Sequence, residues 1–255
     1  MSEIYTVGDI VRVLEEKKIP QEATTINWTK YFDRICCFHY LPQKDRLPII
    51  ERELKRVGIL DSGIFEFHYS FPSPFDAVMR NAVELKNVNF TNEHARATTN
   101  MTIAFYGLVK RYAWLGYERV LVLEDDVLFI HDLRKIKVLL DHMPNSYDFI
   151  QFDRAYKNEW YKQGPDDGYF MSNYVGGYTS ACCNAFSHKA LELAGSMLEK
   201  AFYHTDRLMA NIDEPELLSL NRYVAMFNIV KQDDRRYDDG YRDLLNFSDF
   251  YPRLS

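Results

Sequence analysis

The run RVLVLEDDVLF, Arg119 to Phe129, constrains this chain more than any other stretch. Val120 to Glu124 reads as a buried strand, and an unbroken apolar run suits a strand covered on both faces, as in a parallel sheet. It ends in three consecutive carboxylates, Glu124, Asp125 and Asp126. Adjacent negative charges repel one another and resist desolvation, so they face water or a cation rather than a packed core. In open α/β sheets, ligands bind at the carboxyl ends of strands, where this cluster would sit. Hard ions such as Mg²⁺ or Mn²⁺ take oxygen ligands, commonly one or two carboxylates with substrate phosphates and water. In an extended segment Glu124 and Asp126 project to one side and Asp125 to the other, until the chain turns. The expectation is a divalent-metal site that holds an anionic substrate; the plainer alternative is a solvated strand end.

The rest of the chain supplies suitable neighbours. Arg34 to Tyr40, RICCFHY, reads as a first strand. In the helix that follows, Asp45 is placed to cap, Pro48 suits the first turn, and Leu47, Ile50, Leu54 and Val57 recur at helical spacing before Gly58 stops it. Ile64 to Tyr69 then completes a strand–helix–strand unit. From Thr99, a helix carries Met101, Ala104, Phe105, Leu108, Val109 and Tyr112 on one face and ends at Gly116. Beyond the acids, Asp132 caps a helix bearing Leu133, Ile136, Leu140 and Met143, and Asp148 to Phe152 reads as a strand. Ser187 caps the helix of Ala190, Leu191, Ala194, Met197, Leu198 and Ala201, Pro215 opens a short helix, and Tyr223 to Val230 reads as the last strand.

The prolines of residues 71–76 mark a turn, and residues 157–174 break every periodicity, as a long functional loop does. The fold class expected is α/β: a mostly parallel sheet flanked by helices, in a single domain. Residues 1–30, with Asp9 capping a short helix, form an N-terminal helical appendage to a main domain of residues 31–230. Residues 231–255 form a C-terminal extension whose six acids and five bases balance, as in a solvated or docked segment.

Bulk properties remove several classes. A chain of 255 residues can bury a sizeable core. Its net charge of −6, with no dense Lys/Arg stripe, argues against nucleic acid as a partner. The four cysteines form two vicinal pairs, Cys36-Cys37 and Cys182-Cys183, with neither zinc nor redox spacing, so buried free thiols are expected. No apolar run reaches the roughly 20 residues that cross a membrane, and MSEIYTVGDI lacks a signal pattern. A cytoplasmic location is expected, with peripheral attachment at the inner face of a membrane left open. GxGxxG, Walker, GxSxG and HExxH motifs are all absent, which counts against dinucleotide enzymes, P-loop NTPases, serine hydrolases and zinc proteases.

Two further places can carry chemistry. In Gly176-Gly177-Tyr178-Thr179-Ser180 the glycines let a ligand approach the backbone and the hydroxyls can donate to phosphate or sugar oxygens, though a Gly pair before a strand also reads as a turn. Asp206, in HTDRLM, reads equally as a general base or as the cap of the segment after it.

The order of these features resembles the metal-dependent GT-A glycosyltransferases, most closely the lipopolysaccharide-type galactosyltransferases of glycosyltransferase family 25. The resemblance runs through CFHYLPQKDRLPIIERELKRVGI, FYGLVKRYAWLGYERVLVLEDDVLF, GGYTSACCNAFSHKALELA and HTDRLM, and spans roughly residues 32–230, with the EDD block its most specific part. It implies a GT-A-like catalytic domain, a nucleoside diphosphate sugar (UDP above all) as donor, Mn²⁺ or Mg²⁺ as cofactor, and a glycan or glycolipid acceptor in surface polysaccharide or glycoconjugate synthesis. By the same resemblance Asp126 binds the metal directly, Glu124 supports the metal or the donor ribose, and Asp125 approaches the donor sugar. Arg46 and the strand end at Phe38 to Tyr40 lie near the nucleotide, Gly177 and Tyr178 line the donor's phosphate and sugar, and Asp206 is the acceptor-activating base of an inverting enzyme. The family has Ser-His where this chain has Thr99-Asn100-Met101, so Asn100, which hydrogen-bonds but cannot titrate, takes that place. No histidine follows His204 to act as a late metal ligand, leaving Gln232, Asp233, Asp234 or water.

Two other functions compete. A nucleotidyltransferase also pairs an α/β sheet with acid-bound Mg²⁺, but its expected Gly-rich basic loop after the first strand is missing from LPQKDR. A non-catalytic sugar-nucleotide-binding protein on a degenerate transferase scaffold fits the missing Ser-His pair.

Overall fold

The computed structural model describes residues 24–70, 93–130, 132–153, 166–172, 182–200 and 219–232, with backbone alone at 93–100, 199–200 and 232. Its centre is a seven-stranded sheet. The strands are β1 (Arg34–Tyr40), β2 (Phe65–Ser70), β3 (Arg119–Glu124), β5 (Phe149–Gln151), β6 (Phe170–Ser172), β7 (Cys183–Ser187) and β8 (Arg222–Ala225), in the order β2-β1-β3-β7-β5-β8-β6. Five of the seven run the same way, and β7 and β6 oppose them. A separate antiparallel pair joins β4 (Val127–Phe129) to β9 (Val230–Gln232). The mostly parallel α/β architecture is therefore as expected.

The strands alternate between two apolar layers, as a period of two requires. Ile35 and Cys37 of β1, Leu121 and Leu123 of β3, and Cys183 and Ala185 of β7 face one layer, formed with Ile50 and Leu54 of α1 (Leu47–Arg56) and Ile136, Leu139 and Leu140 of α3 (Leu133–Asp141). Cys36, Phe38, Val120, Val122 and Phe186 face the other layer. There they meet Phe105, Leu108, Val109 and Tyr112 of α2 (Glu93–Trp114) and Ala190, Leu191, Ala194, Met197 and Leu198 of α4 (His188–Lys200). Helices thus cover both faces, which is why β3 is wholly apolar between Arg119 and Glu124. All four cysteines are buried free thiols, as expected.

The helix ends follow local chemistry. Asp132 accepts from the Arg134 amide and caps α3, and the Ser187 hydroxyl accepts from the Ala190 amide at the start of α4. Gly116, at φ +72°, takes the left-handed conformation that stops α2 just before β3. Asp45 is not the cap of α1. A turn at Gln43–Arg46 leads into the helix, and the cap position falls on Arg46, which has helical dihedrals. At the other end of α1 the Trp28 indole donates to the Val57 carbonyl at 2.8 Å, and Ile26 and Trp28 belong to the core.

Three elements differ from the sequence reading. Tyr223 to Val230 is not one strand: β8 ends at Ala225, and after Met226–Ile229 the chain leaves the large sheet for β4. Asn228 interrupts the apolar run there. The stretch read as a loop contains β6, an edge strand of three residues, too short for periodicity to register. α2 begins at Glu93 rather than Thr99, because its first turns lack apolar residues at helical spacing. The helices assigned near Asp9 and Pro215 and the turn at 71–76 lie outside the described residues. Among those described, no helix is long and apolar enough to cross a membrane.

Away from the carboxyl edge, β2, β1 and α2 are tied by Glu66. Its carboxylate accepts from Arg34 at 2.5 Å, from both Arg111 terminal nitrogens at 3.0 and 3.2 Å, and from the Tyr112 hydroxyl. Burial pushes this carboxyl up, but the Tyr112 and Arg34 hydrogen bonds and the two guanidinium charges outweigh it, so Glu66 lies below its ordinary value. The folded state thus releases the Glu66 proton more readily than the unfolded chain. Its stabilisation is full above the ordinary Glu value of about 4.3 and is lost as pH falls through the lowered folded value. Glu66→Gln is expected to lower unfolding stability by about 1–3 kcal/mol at pH 7 in urea titrations, and by progressively less below about pH 4. An equal deficit at neutral and strongly acid pH would contradict this account.

Candidate active site

The site builds from register. β1, β2 and β3 are parallel, with Phe38 opposite Glu124 and Tyr40 opposite Ser70, so the three strands end on one edge of the sheet. β3 stops at Glu124, whose amide donates to the Cys182 carbonyl at 3.1 Å, and Asp125 and Asp126 form a turn before β4. That turn ends the alternation expected of an extended segment: Asp125 and Asp126 are each only 6% exposed.

Asp125 points at the end of β1. One carboxylate oxygen, Oδ2, lies 2.7 Å from His39 Nδ1 and accepts from the Tyr40 amide at 3.3 Å, while Oδ1 accepts from Arg46 Nη1 at 2.6 Å. A carboxylate accepts and does not donate, so the hydrogen of the first contact sits on His39 Nδ1. The same Arg46 nitrogen is 3.9 Å from Asp126 Oδ2, so one guanidinium spans both acids. These partners are what let two carboxylates be buried next to one another. Glu124 is half-buried beside them.

Two thiols lie under the acids. Burial first, and then the charges of Asp125, Asp126 and Glu124, push the Cys37 thiol well above its ordinary value. Cys182 is pushed up by burial, followed by Asp153, Asp126 and Glu124. Asp153 was missed in the sequence. It follows β5, is 3% exposed, and stands on the same edge, because the Phe152 amide donates to the Cys183 carbonyl at 3.1 Å. The signal was present: FIQF, like VLVLE, is a mostly apolar stretch that runs straight into an acid.

The structure therefore brings together Tyr40, Arg46, Glu124, Asp125 and Asp126. Asn100 lies within α2, in the half nearer this edge: His68, late in β2, hydrogen-bonds the Ala104 backbone, whereas Glu66, earlier in β2, meets Tyr112. The Asn100 side chain, Gly177, Tyr178 and Asp206 lie outside the described residues, as do Asp233 and Asp234. The backbone of Gln232 pairs with Val127, the residue after Asp126, so β9 returns to the acid turn.

Among the described residues no group of three or more His, Cys, Asp or Glu side chains could hold a metal ion by itself. The donor set nonetheless fits Mg²⁺ or Mn²⁺, which are commonly held by one or two carboxylates with the remaining positions filled by substrate phosphate and water. Asp126 and Glu124 can supply those carboxylates, whereas Asp125 is engaged with Arg46 and His39.

No protein-family model and no curated protein matches the chain. Solved structures similar to it include a glycosyltransferase involved in the glycosylation of the major capsid of PBCV-1, at 14% identity and a TM-score of 0.41, covering 75% of this chain and 80% of that one. Another is described as a mannose-1-phosphate geranyltransferase from Thermus thermophilus, at 13% identity and a TM-score of 0.40, over 79% and 75% of the two chains. A third is an inositol-1-phosphate CTP transferase from T. maritima, at 9% identity and a TM-score of 0.39, over 79% and 88%. Likenesses this distant transfer no activity to this chain, whose function is argued from its own residues.

Cys36, Cys37, Cys182 and Cys183 are all buried, and burial holds each as a neutral thiol. A disulfide reagent such as DTNB, applied at pH 8, is expected to leave all four untouched in the native protein and to titrate all four after denaturation. Rapid reaction of Cys37 or Cys182 in the folded state would mean that the acid edge is open to solvent down to the thiols.

Proposed function

We propose that this chain is a metal-dependent, inverting glycosyltransferase, which moves a sugar from a nucleoside diphosphate sugar, UDP-linked above all, to a hydroxyl of a glycan or glycolipid acceptor. The observation that carries the reading is the charge arrangement at the end of β3, where Asp125 and Asp126, directly after Glu124, meet the Arg46 guanidinium at the carboxyl edge of the sheet. A nucleoside diphosphate needs both signs there. Acids hold the divalent ion that accompanies the diphosphate, and a guanidinium fits phosphate oxygens with its fork of donors. The likeness of the EDD, Gly-Tyr and HTDRLM blocks to glycosyltransferase family 25 supports the same reading.

Asp126, with Glu124, would hold the metal, which when bound neutralises charge on the diphosphate leaving group. Asp206 takes the proton of the acceptor hydroxyl. The acceptor oxygen attacks the anomeric carbon from the face opposite the phosphate, the sugar–phosphate C–O bond breaks, and its electron pair leaves with the nucleoside diphosphate. Tyr40 and Arg46 border the nucleotide, Asn100 stands toward the same edge from α2, and Gly177-Tyr178 lines the donor sugar.

Parallel incubations with Mn²⁺, one with nucleotide sugars and one with nucleoside triphosphates plus sugar phosphates, test this against the alternatives. Release of nucleoside diphosphate from the nucleotide sugars is expected; release of pyrophosphate from the triphosphates would instead identify nucleotidyl transfer, and binding without turnover in either a non-catalytic protein. Asp126→Ala is expected to abolish metal-dependent release, and transfer at the wild-type rate in that variant would end the metal assignment. Asp206→Asn is expected to bind the donor as wild type does while losing about 10²–10⁴-fold in transfer. Unchanged transfer in it would assign the base elsewhere.

A further inference from the structure

The geometry points to a different role for Asp125 from the donor-sugar contact that the family likeness implies: we propose that it is a positioning residue, which with His39 fixes Arg46 to receive the donor's diphosphate. This inference rests on the donor site proposed above. Only 5% of the Asp125 side chain is exposed, and both of its oxygens are engaged within the protein. Oδ2 meets His39, itself 1% exposed, together with the Tyr40 amide, and Oδ1 takes Arg46. A carboxylate bound on three sides by its own chain has little left to offer a sugar hydroxyl. It is well suited to hold a cation in place, because a charge-assisted hydrogen bond of 2.6 Å both orients the guanidinium and limits its alternatives.

Arg46 needs such a hold. It stands at the cap of α1, with no side-chain cap hydrogen bond there, on a long and flexible side chain. Asp126 is the competing partner, 3.9 Å from the same nitrogen. Without Asp125 the guanidinium would lose its 2.6 Å hold, and the pull of Asp126 would draw it toward a position the metal requires. Asp125 thus keeps the cation and the metal's carboxylate apart as well as near. His39 acts through Asp125: it anchors the opposite oxygen to the end of β1, so the carboxylate cannot rotate with Arg46.

Asparagine at this position separates the two duties. Its amide has one acceptor oxygen and one NH₂, whereas both sides of Asp125 face donors. Asp125→Asn therefore sets donor against donor either at Arg46 or at the Tyr40 amide, even where His39 changes tautomer to accept. The test is a double-variant cycle on the full chain with Asp125→Asn and Arg46→Ala. Binding of UDP, GDP, CDP and ADP, each with Mn²⁺, is followed by calorimetry, and thermal unfolding is recorded in parallel. At least one diphosphate is expected to bind wild type. Asp125→Asn is expected to weaken that diphosphate about ten-fold in the wild-type background and not at all in the Arg46→Ala background, because it acts through Arg46. His39→Phe, which keeps a ring but removes the donor, goes through the same cycle and is expected to show the same dependence on Arg46; it decides the matter if Asp125→Asn does not fold. Unchanged binding in the single variants, or the same loss in both backgrounds, overturns the positioning role and leaves the donor site standing. Failure of wild type to bind any of the four overturns the donor-site reading and this inference with it.

Discussion

Val120, Leu121, Val122 and Leu123 are buried between helices packed on opposite faces of the sheet, and a charge placed among them would lose its hydration with nothing to replace it. Acids can follow this strand only where the helices no longer cover it, at its carboxyl end. The parallel pairing of β1 and β2 with β3 then decides what they meet there. Three strands that point the same way deliver His39 and Tyr40 to the same edge, and the turn after β1 starts α1 with Arg46 facing the acids. Concentrating chemistry on one edge is thus a consequence of burying β3 on both faces.

The three consecutive acids are alike in sequence and unlike in surroundings. Asp125 is drawn inward by donors from β1 and α1, which offset its desolvation. Asp126 shares the edge of that arrangement through Arg46 at 3.9 Å, a distance at which attraction persists without a hydrogen bond. Glu124 keeps the strand's geometry, its amide tied to Cys182 and its side chain partly open. A repulsive triplet becomes a graded one because a single guanidinium binds Asp125 closely and Asp126 at a distance. Glu66, near the other ends of β1 and β2, is handled differently, with two arginines and a tyrosine on one carboxylate, and that arrangement leaves no acid for a ligand.

Most of the framework was legible because the signals are strong and local. VLVLE, RICCFHY and the helical stripe of Phe105, Leu108, Val109 and Tyr112 each have a period that survives folding. What was not legible depends on contacts distant in sequence. β6 has three residues and exists only because β8 is beside it, and the division of Tyr223–Val230 between two sheets depends on a strand near residue 128. In the site, the acids could be nominated from the strand they follow and Arg46 from the family resemblance, but the role of Asp125 could not. That depends on His39, 86 residues away, which as an isolated histidine in an apolar strand carries no pattern of its own. Asp153 repeated the strand-then-acid signal, yet a single acid is a weaker mark than three.

The small β4–β9 pair has a consequence that its size conceals. Immediately after Asp126 the chain enters a ladder with Val230–Gln232, and Ile130 extends the tie through the Ile229 carbonyl at 2.9 Å. The acid turn is therefore held on both sides: β3 fixes its entry within the large sheet, and β4 fixes its exit against a strand that arrives roughly 100 residues later. A turn between two pinned strands has little freedom to rotate its carboxylates, so their spacing is set before any ligand arrives, and ordering them on binding costs correspondingly less. The same ladder fixes Gln232 opposite Val127. β9 is thereby structurally coupled to the acids: loosening it loosens the exit from the turn, and with it the geometry that Arg46 and Asp126 share.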